Sequence, residues 1–161
     1  MRKATETAIK QAIGLGAVAG LRAMLAPALL SHYMSNHPSS AARLSNLNFV
    51  QSPITAAITK ILSAAEIAGD KVPSSPNRTV LPQVAVRVAS GALVGATIFR
   101  ANRENAYRGM LIGGASALVA TYASFYARKY LDKVPHVKDW YVAVVEDALA
   151  VGSGIKLTET K

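Results

Sequence analysis

Long apolar runs, separated by short basic or turn-forming stretches, set the pattern of this chain. The first runs from Ala12 to Leu30 and is broken by one charge, Arg22. Arg2, Lys3 and Lys10 precede it, and a helix is predicted from about Thr5 to Met34, kinked near its end by Pro27. About twenty apolar residues is a membrane-spanning length. The internal Arg22 and the lack of a small-x-small cleavage site speak against a signal peptide. Ser35 to Ser52 reads as a loop, with turn chemistry in Asn36-His37-Pro38-Ser39-Ser40. The second helix is predicted from Pro53 to Gly69, with Ser52 as its cap and Pro53 in its first turn. It is short for a span and carries Lys60 and Glu66.

Asp70-Lys71-Val72-Pro73 ends that segment, and Ser74-Ser75-Pro76-Asn77 follows as a linker. The third helix is expected from about Arg78 to Arg100, with Gln83 and Arg87 as the polar breaks in its run. The fourth, Gly109 to Ala127, contains no charge over about nineteen residues and is the clearest spanning candidate. Tyr107, Tyr122, Tyr126 and Tyr130 gather toward its ends, as interfacial aromatics do. A basic stretch with Arg128, Lys129, Lys133 and Lys138 leads to a fifth segment, about Asp139 to Ile155, containing Glu146-Asp147.

Small residues recur at four-residue spacing in three of these helices: Gly16 and Gly20, Gly91 and Gly95, Gly109 and Gly113. Such faces let helices approach closely where lipid removes the hydrophobic drive to associate. The expectation is an all-α integral membrane bundle of four or five helices packed through these GxxxG-like faces. It forms a single membrane-embedded domain over residues 1–161, with polar tails at about 1–10 and 156–161.

Composition sharpens this picture. Of 161 residues, 51% are hydrophobic and only 17% charged, below the soluble average. Net charge is +9, which fits basic loops flanking lipid. The basic residues are scattered between apolar segments and not gathered on one face of a polar helix, so no nucleic-acid partner is expected. The absence of cysteine excludes disulfides, thiolate catalysis and cysteine-ligated metals. No Gly-x-Ser-x-Gly, phosphate loop or His-Glu-x-x-His motif is present, and His32, His37 and His136 have no recognisable nucleophile partner. No enzyme activity, cofactor or metal site is expected.

What chemistry there is lies in charges within the apolar segments: Arg22, Lys60, Glu66, Asp70, Lys71, Arg87, Glu146 and Asp147. Each costs about 2.5 to 3.5 kcal/mol if left unpaired at the centre of a membrane helix. Glu66 and Asp70 are four apart and share a helix face, whereas adjacent Glu146 and Asp147 cannot. Arg22 and Arg87 are placed to answer an acid from another helix. Two uses are open: a polar pathway in which carboxylates exchange a proton or hard cation, or buried ion pairs that lock the helices.

Ala65-Glu66-x-x-x-Asp70-Lys71-x-Pro73, Arg87-x-x-x-Gly91-Ala92, the Gly/Ala-rich fourth helix ending in Arg128, and Glu146-Asp147 together resemble a bacterial membrane-protein family. This is the family catalogued as domain of unknown function 4126, and the likeness runs from about Gly14 to Gly152. The resemblance implies a multi-pass protein, of the bacterial inner membrane, with no activity attached. Glu66-Ile-Ala-Gly69-Asp70-Lys71 is also similar to the Glu-x-Gly-Asp-Lys signature of a calcium and manganese transporter family. It differs by one extra residue between the acids, by Val72 in place of Ser/Thr, and by the lack of a second copy near Glu146.

The functional expectation is a small transporter-like protein moving a cation, proton or solute past Glu66, Asp70 and Glu146. The alternative is a non-catalytic membrane scaffold or complex subunit whose charges are structural. A soluble basic helical protein that binds nucleic acid is the most distant reading. Expected partners are the lipid bilayer and either a second copy of the chain or another membrane subunit.

Overall fold

The computed structural model describes residues 2–69, 81–131, 151–152 and 154–157. Within residues 2–131 of these lie six α-helices and one 3-10 turn, residues 151–152 and 154–157 are also helical, and there is no strand among the described residues. The helices are α1 (Arg2–Leu21), α2 (Leu25–Asn36), α3 (Ser40–Arg43), α4 (Pro53–Gly69), α5 (Leu81–Ala101) and α6 (Ala106–Leu131), with the 3-10 turn at Asn48–Gln51 before α4. The all-helical class stands, but the count of four or five does not hold for this stretch of chain.

The largest departure concerns the first predicted helix. It is not one rod kinked at Pro27 but two helices, α1 and α2, separated at Arg22–Met24. Pro27 is the third residue of α2, in the first turn, where a missing N–H costs nothing. α2 then turns back along α1. Tyr33 and Met34 of α2 share a cavity with Gln11 and Leu15 of α1 and with Ile98 and Ala101 of α5. The predicted loop 35–52 also acquires structure, as the four-residue α3 and the 3-10 turn.

Local signals set the other boundaries. The Ser52 hydroxyl accepts the Ile54 N–H at 3.3 Å, and Pro53 opens α4. α5 closes with a Schellman pattern: Glu104 N–H donates to the Phe99 carbonyl at 2.8 Å and Arg103 N–H to that of Arg100 at 3.1 Å. Arg103 takes the left-handed conformation this closure needs, with φ of 61°. Asn105 then caps α6 by accepting the Tyr107 N–H at 2.9 Å. This tight connection returns α6 antiparallel to α5.

α1, α5 and α6 form the centre, and the α5–α6 pair is the most extensive contact. Its seam is built from glycines. A Cβ on Gly95 would run into the Gly109 carbonyl, and one on Gly109 into the Gly95 carbonyl. Gly91 and Gly113 face each other in the same way. α1 joins the seam through Gly16, where a Cβ would lie 2.6 Å from the Gly113 carbonyl oxygen, and through Gly20, against the Ala117 carbonyl. Backbone therefore touches backbone across three helices, which only residues without side chains permit. α4 lies outside this core and packs chiefly on α2. Residues 154–157 are helical and lie against α1, where the Gln11 side chain donates to the Leu157 carbonyl at 2.9 Å.

Candidate functional site: the break between α1 and α2

A helix that stops inside a protein leaves backbone groups to satisfy. In a continuous helix Ala23 and Met24 N–H would donate to the carbonyls of residues 19 and 20. Here both donate instead to the carboxylate of Glu66 on α4, Ala23 to Oε1 at 2.8 Å and Met24 to Oε2 at 2.9 Å. The Gly20 carbonyl, thus freed, accepts from Arg87 Nη1 of α5 at 2.8 Å and from Thr121 Oγ1 of α6 at 3.0 Å. The Ala23 carbonyl would meet the N–H of residue 27 in a regular helix, and Pro27 has none. The Ser90 hydroxyl of α5 donates to it in its place. Side chains from three helices thus close the break, which is how broken helices persist away from water.

The site is also charged. Arg22 and Arg87 are buried, at 4% and 3% exposure, and Glu66 is half-buried. Beyond the break lies an open cleft of about 330 Å³, lined by Ala23, Met24, Glu66, Pro82, Gln83, Val86 and Arg87. The positive end of α2 and a guanidinium therefore share this cleft with one carboxylate.

Of the charges read from sequence, the structure brings Glu66 and Arg87 to the break, at which Arg22 itself lies buried. Asp70, Lys71, Glu146 and Asp147 lie outside the described residues. Lys60 stands apart, exposed, with its Nζ 2.9 Å from His32 Nδ1. His37 stacks on Tyr33 at 4.7 Å between ring centroids. Among the described residues no group of three or more His, Cys, Asp or Glu could hold a metal ion. Sequence reasoning missed Ser90 and Thr121. Ser90 had a visible signal: it lies three residues after Arg87 and before Gly91, on one helix face. Thr121 had none, in a helix rich in small polar residues.

Among the described residues two helical stretches are long and apolar enough to cross a membrane, Leu81–Ala101 and Ala106–Ala127. Comparison with protein families gives a match over residues 9–156 to the family described as Domain of unknown function (DUF4126). The chain belongs to that family. No curated protein and no solved structure matches it. The assignment thus covers nearly the whole chain and attaches no activity to the break or its cleft.

Proposed function

We propose that this member of the DUF4126 family is a multi-pass integral membrane protein that passes a small polar solute through the cleft at the α1–α2 break. The observation that carries the reading is the interrupted helix, with its backbone turned toward Glu66 and Arg87 beside an open cleft. Interrupted helices at a polar cavity are how membrane proteins build solute sites from backbone groups. The surface supports a lipid setting. Leu111, Val119 and Tyr126 of α6 and Ile54 and Ile61 of α4 are large, apolar and more than 60% exposed, a costly surface in water and an ordinary one in lipid.

Of the cargoes expected from the sequence, a hard cation is the least well served. Glu66 already accepts two N–H bonds, and Arg87 lines the same cleft. A solute with an accepting or anionic group meets better-matched chemistry. The scaffold reading also has an observation in its favour: each Glu66 bond to α1–α2 closes a backbone group of the break. Swelling of proteoliposomes in glycerol, urea and sodium formate separates the two. Transport predicts swelling above that of empty liposomes and altered by Glu66→Gln in a variant that remains folded. Swelling equal to empty liposomes in all three, with Glu66→Gln lowering only thermal stability, favours the scaffold.

A further inference from the structure

We infer that α1 and α2 form a re-entrant hairpin, entering and leaving the membrane on the face of the α5–α6 loop, with a tip that separates two solvent vestibules. The inference rests on the membrane reading above and adds the topology and path it left open. Both ends of the hairpin are tied to that loop. Thr5 Oγ1 of α1 donates to Glu104 Oε1 at 2.7 Å, and Ser39 Oγ, just past α2, donates to the Ala101 carbonyl at 3.2 Å. The tip reaches only part of the way along α5. Its carbonyls meet Arg87 and Ser90, which at 1.5 Å per residue lie about 9 and 14 Å from Leu81 on a helix about 30 Å long. If α5 spans the hydrocarbon, the tip stops near its middle.

Cavities lie on opposite sides of that tip. The 330 Å³ cleft borders Pro82, Gln83 and Arg87, toward the Leu81 end of α5. A second, of about 190 Å³, lies in the crook of the hairpin and borders Tyr33, His37 and Asn102, toward the Ala101 end. From Arg87 to Ile98 is about 16 Å along α5. Val18, Ala19, Ala26 and Val94 are buried in the intervening core. A single crossing by α1 and α2 together would put Thr5 and Ser39 on opposite faces, and the Thr5–Glu104 and Ser39–Ala101 bonds, both at the same end of α5, forbid that. The tip is thus a barrier reached from one face, while the hairpin that carries it is rooted in the other. The polar linings, Glu66, Gln83 and Arg87 on one side and Tyr33, His37 and Asn102 on the other, suit a small hydrogen-bonding solute.

The natural chain has no cysteine, so single-cysteine variants of the full chain in sided vesicles read this directly. Glu6→Cys, Ser40→Cys and Arg108→Cys are all at exposed positions, and a membrane-impermeant maleimide should label them from one common face. Met24 lines the cleft, and in Met24→Cys the backbone N–H that serves Glu66 is kept. A small impermeant thiosulfonate should label it from the opposite face. Val86→Cys, at the same cleft, gives a second reading should Met24→Cys fail to fold. Labelling of Glu6→Cys and Ser40→Cys from opposite faces overturns the hairpin while leaving the membrane reading intact. Met24→Cys and Val86→Cys that label only from the Ser40 face, or from neither, overturn the vestibule. Release of the parent chain by a carbonate wash would mean that the membrane reading itself has failed.

Discussion

Two regions of this molecule solve opposite problems. Along the α1–α5–α6 seam the helices approach so closely that no side chain fits between them. A few ångströms of helix beyond Gly20, at Arg22–Met24, a helix ends and leaves backbone groups that only side chains from elsewhere can reach. Gly20 belongs to both. A Cβ there would strike the Ala117 carbonyl, while its own carbonyl accepts from Arg87 and Thr121. The seam is held by what its residues lack, the break by what its residues carry. The seam should therefore fail under added atoms and the break under removed ones.

The largest effect is expected at the seam. Gly95→Val sets a branched side chain against the Gly109 carbonyl, a backbone atom in a packed helix that cannot swing aside. Overpacking costs typically 1–3 kcal/mol, and this site should reach about 3 kcal/mol or more. Thermal unfolding in detergent checks it. A melting point near the parent's would show that α5 and α6 can separate, and that the seam is not the rigid element.

Next comes Glu66→Gln. The amide keeps one acceptor oxygen, so one of the two N–H groups of Ala23 and Met24 loses its partner and the other loses a charged one. Hydrogen bonds to charged groups are worth about 1.5–3 kcal/mol, which puts the loss at about 2 kcal/mol. Amide hydrogen exchange at Ala23 and Met24 should accelerate well before exchange in α5 does. Equal protection in the two chains would show that Glu66 is dispensable to the break.

Ser90→Ala should cost about 1 kcal/mol, because it leaves the Ala23 carbonyl without the hydroxyl that bonds it. Its diagnostic value lies in repair. Pro27→Ala restores an N–H at the position from which a regular helix would supply that carbonyl. Pro27→Ala should recover most of the loss in the Ser90→Ala background and add little in the parent. A double-mutant cycle on unfolding midpoints measures this coupling. Simple additivity would mean that Pro27 is not why Ser90 is needed.

The two regions also differ in how far the sequence reveals them. The seam announces itself in glycines four apart, because close approach requires a residue type and a helical period that are both local. The break does not. Leu21-Arg-Ala-Met-Leu25 contains no glycine, proline, asparagine or aspartate, and the flanking Pro27 predicts a kink in a continuing helix, not a full stop before it. It forms because Glu66, Arg87, Ser90 and Thr121, distant in sequence, supply its hydrogen bonds. The charges Arg22, Glu66 and Arg87 stand out in their apolar runs, so their gathering around one polar site was open to anticipation, and Glu66 and Arg87 do reach the break where Arg22 lies buried. That Glu66 would hold backbone N–H groups was not, because the acceptor's role depends on where another helix stops. Asp70, Lys71, Glu146 and Asp147 fall outside the described residues, and the sequence remains the basis for reading them.

The smallest expected effect tests the comparison most finely, because it lies on α6 beside its most sensitive positions. Gly114 directly follows Gly113, yet a Cβ on it would lie 3.5 Å from Ala92 Cβ, an ordinary contact, where one on Gly113 would strike the Gly91 carbonyl. In a helix interior alanine is favoured over glycine by about 0.5–1 kcal/mol in water, and in the lipid setting proposed above the gain should be smaller. Gly114→Ala should therefore leave the melting point unchanged or slightly raised, and Gly113→Ala should lower it sharply. If both substitutions destabilise alike, small size is needed all around α6, and the seam is not the narrow backbone contact the glycine geometry describes. If neither does, α6 shifts freely on α5, and the break would be the only region whose chemistry holds the helices in place.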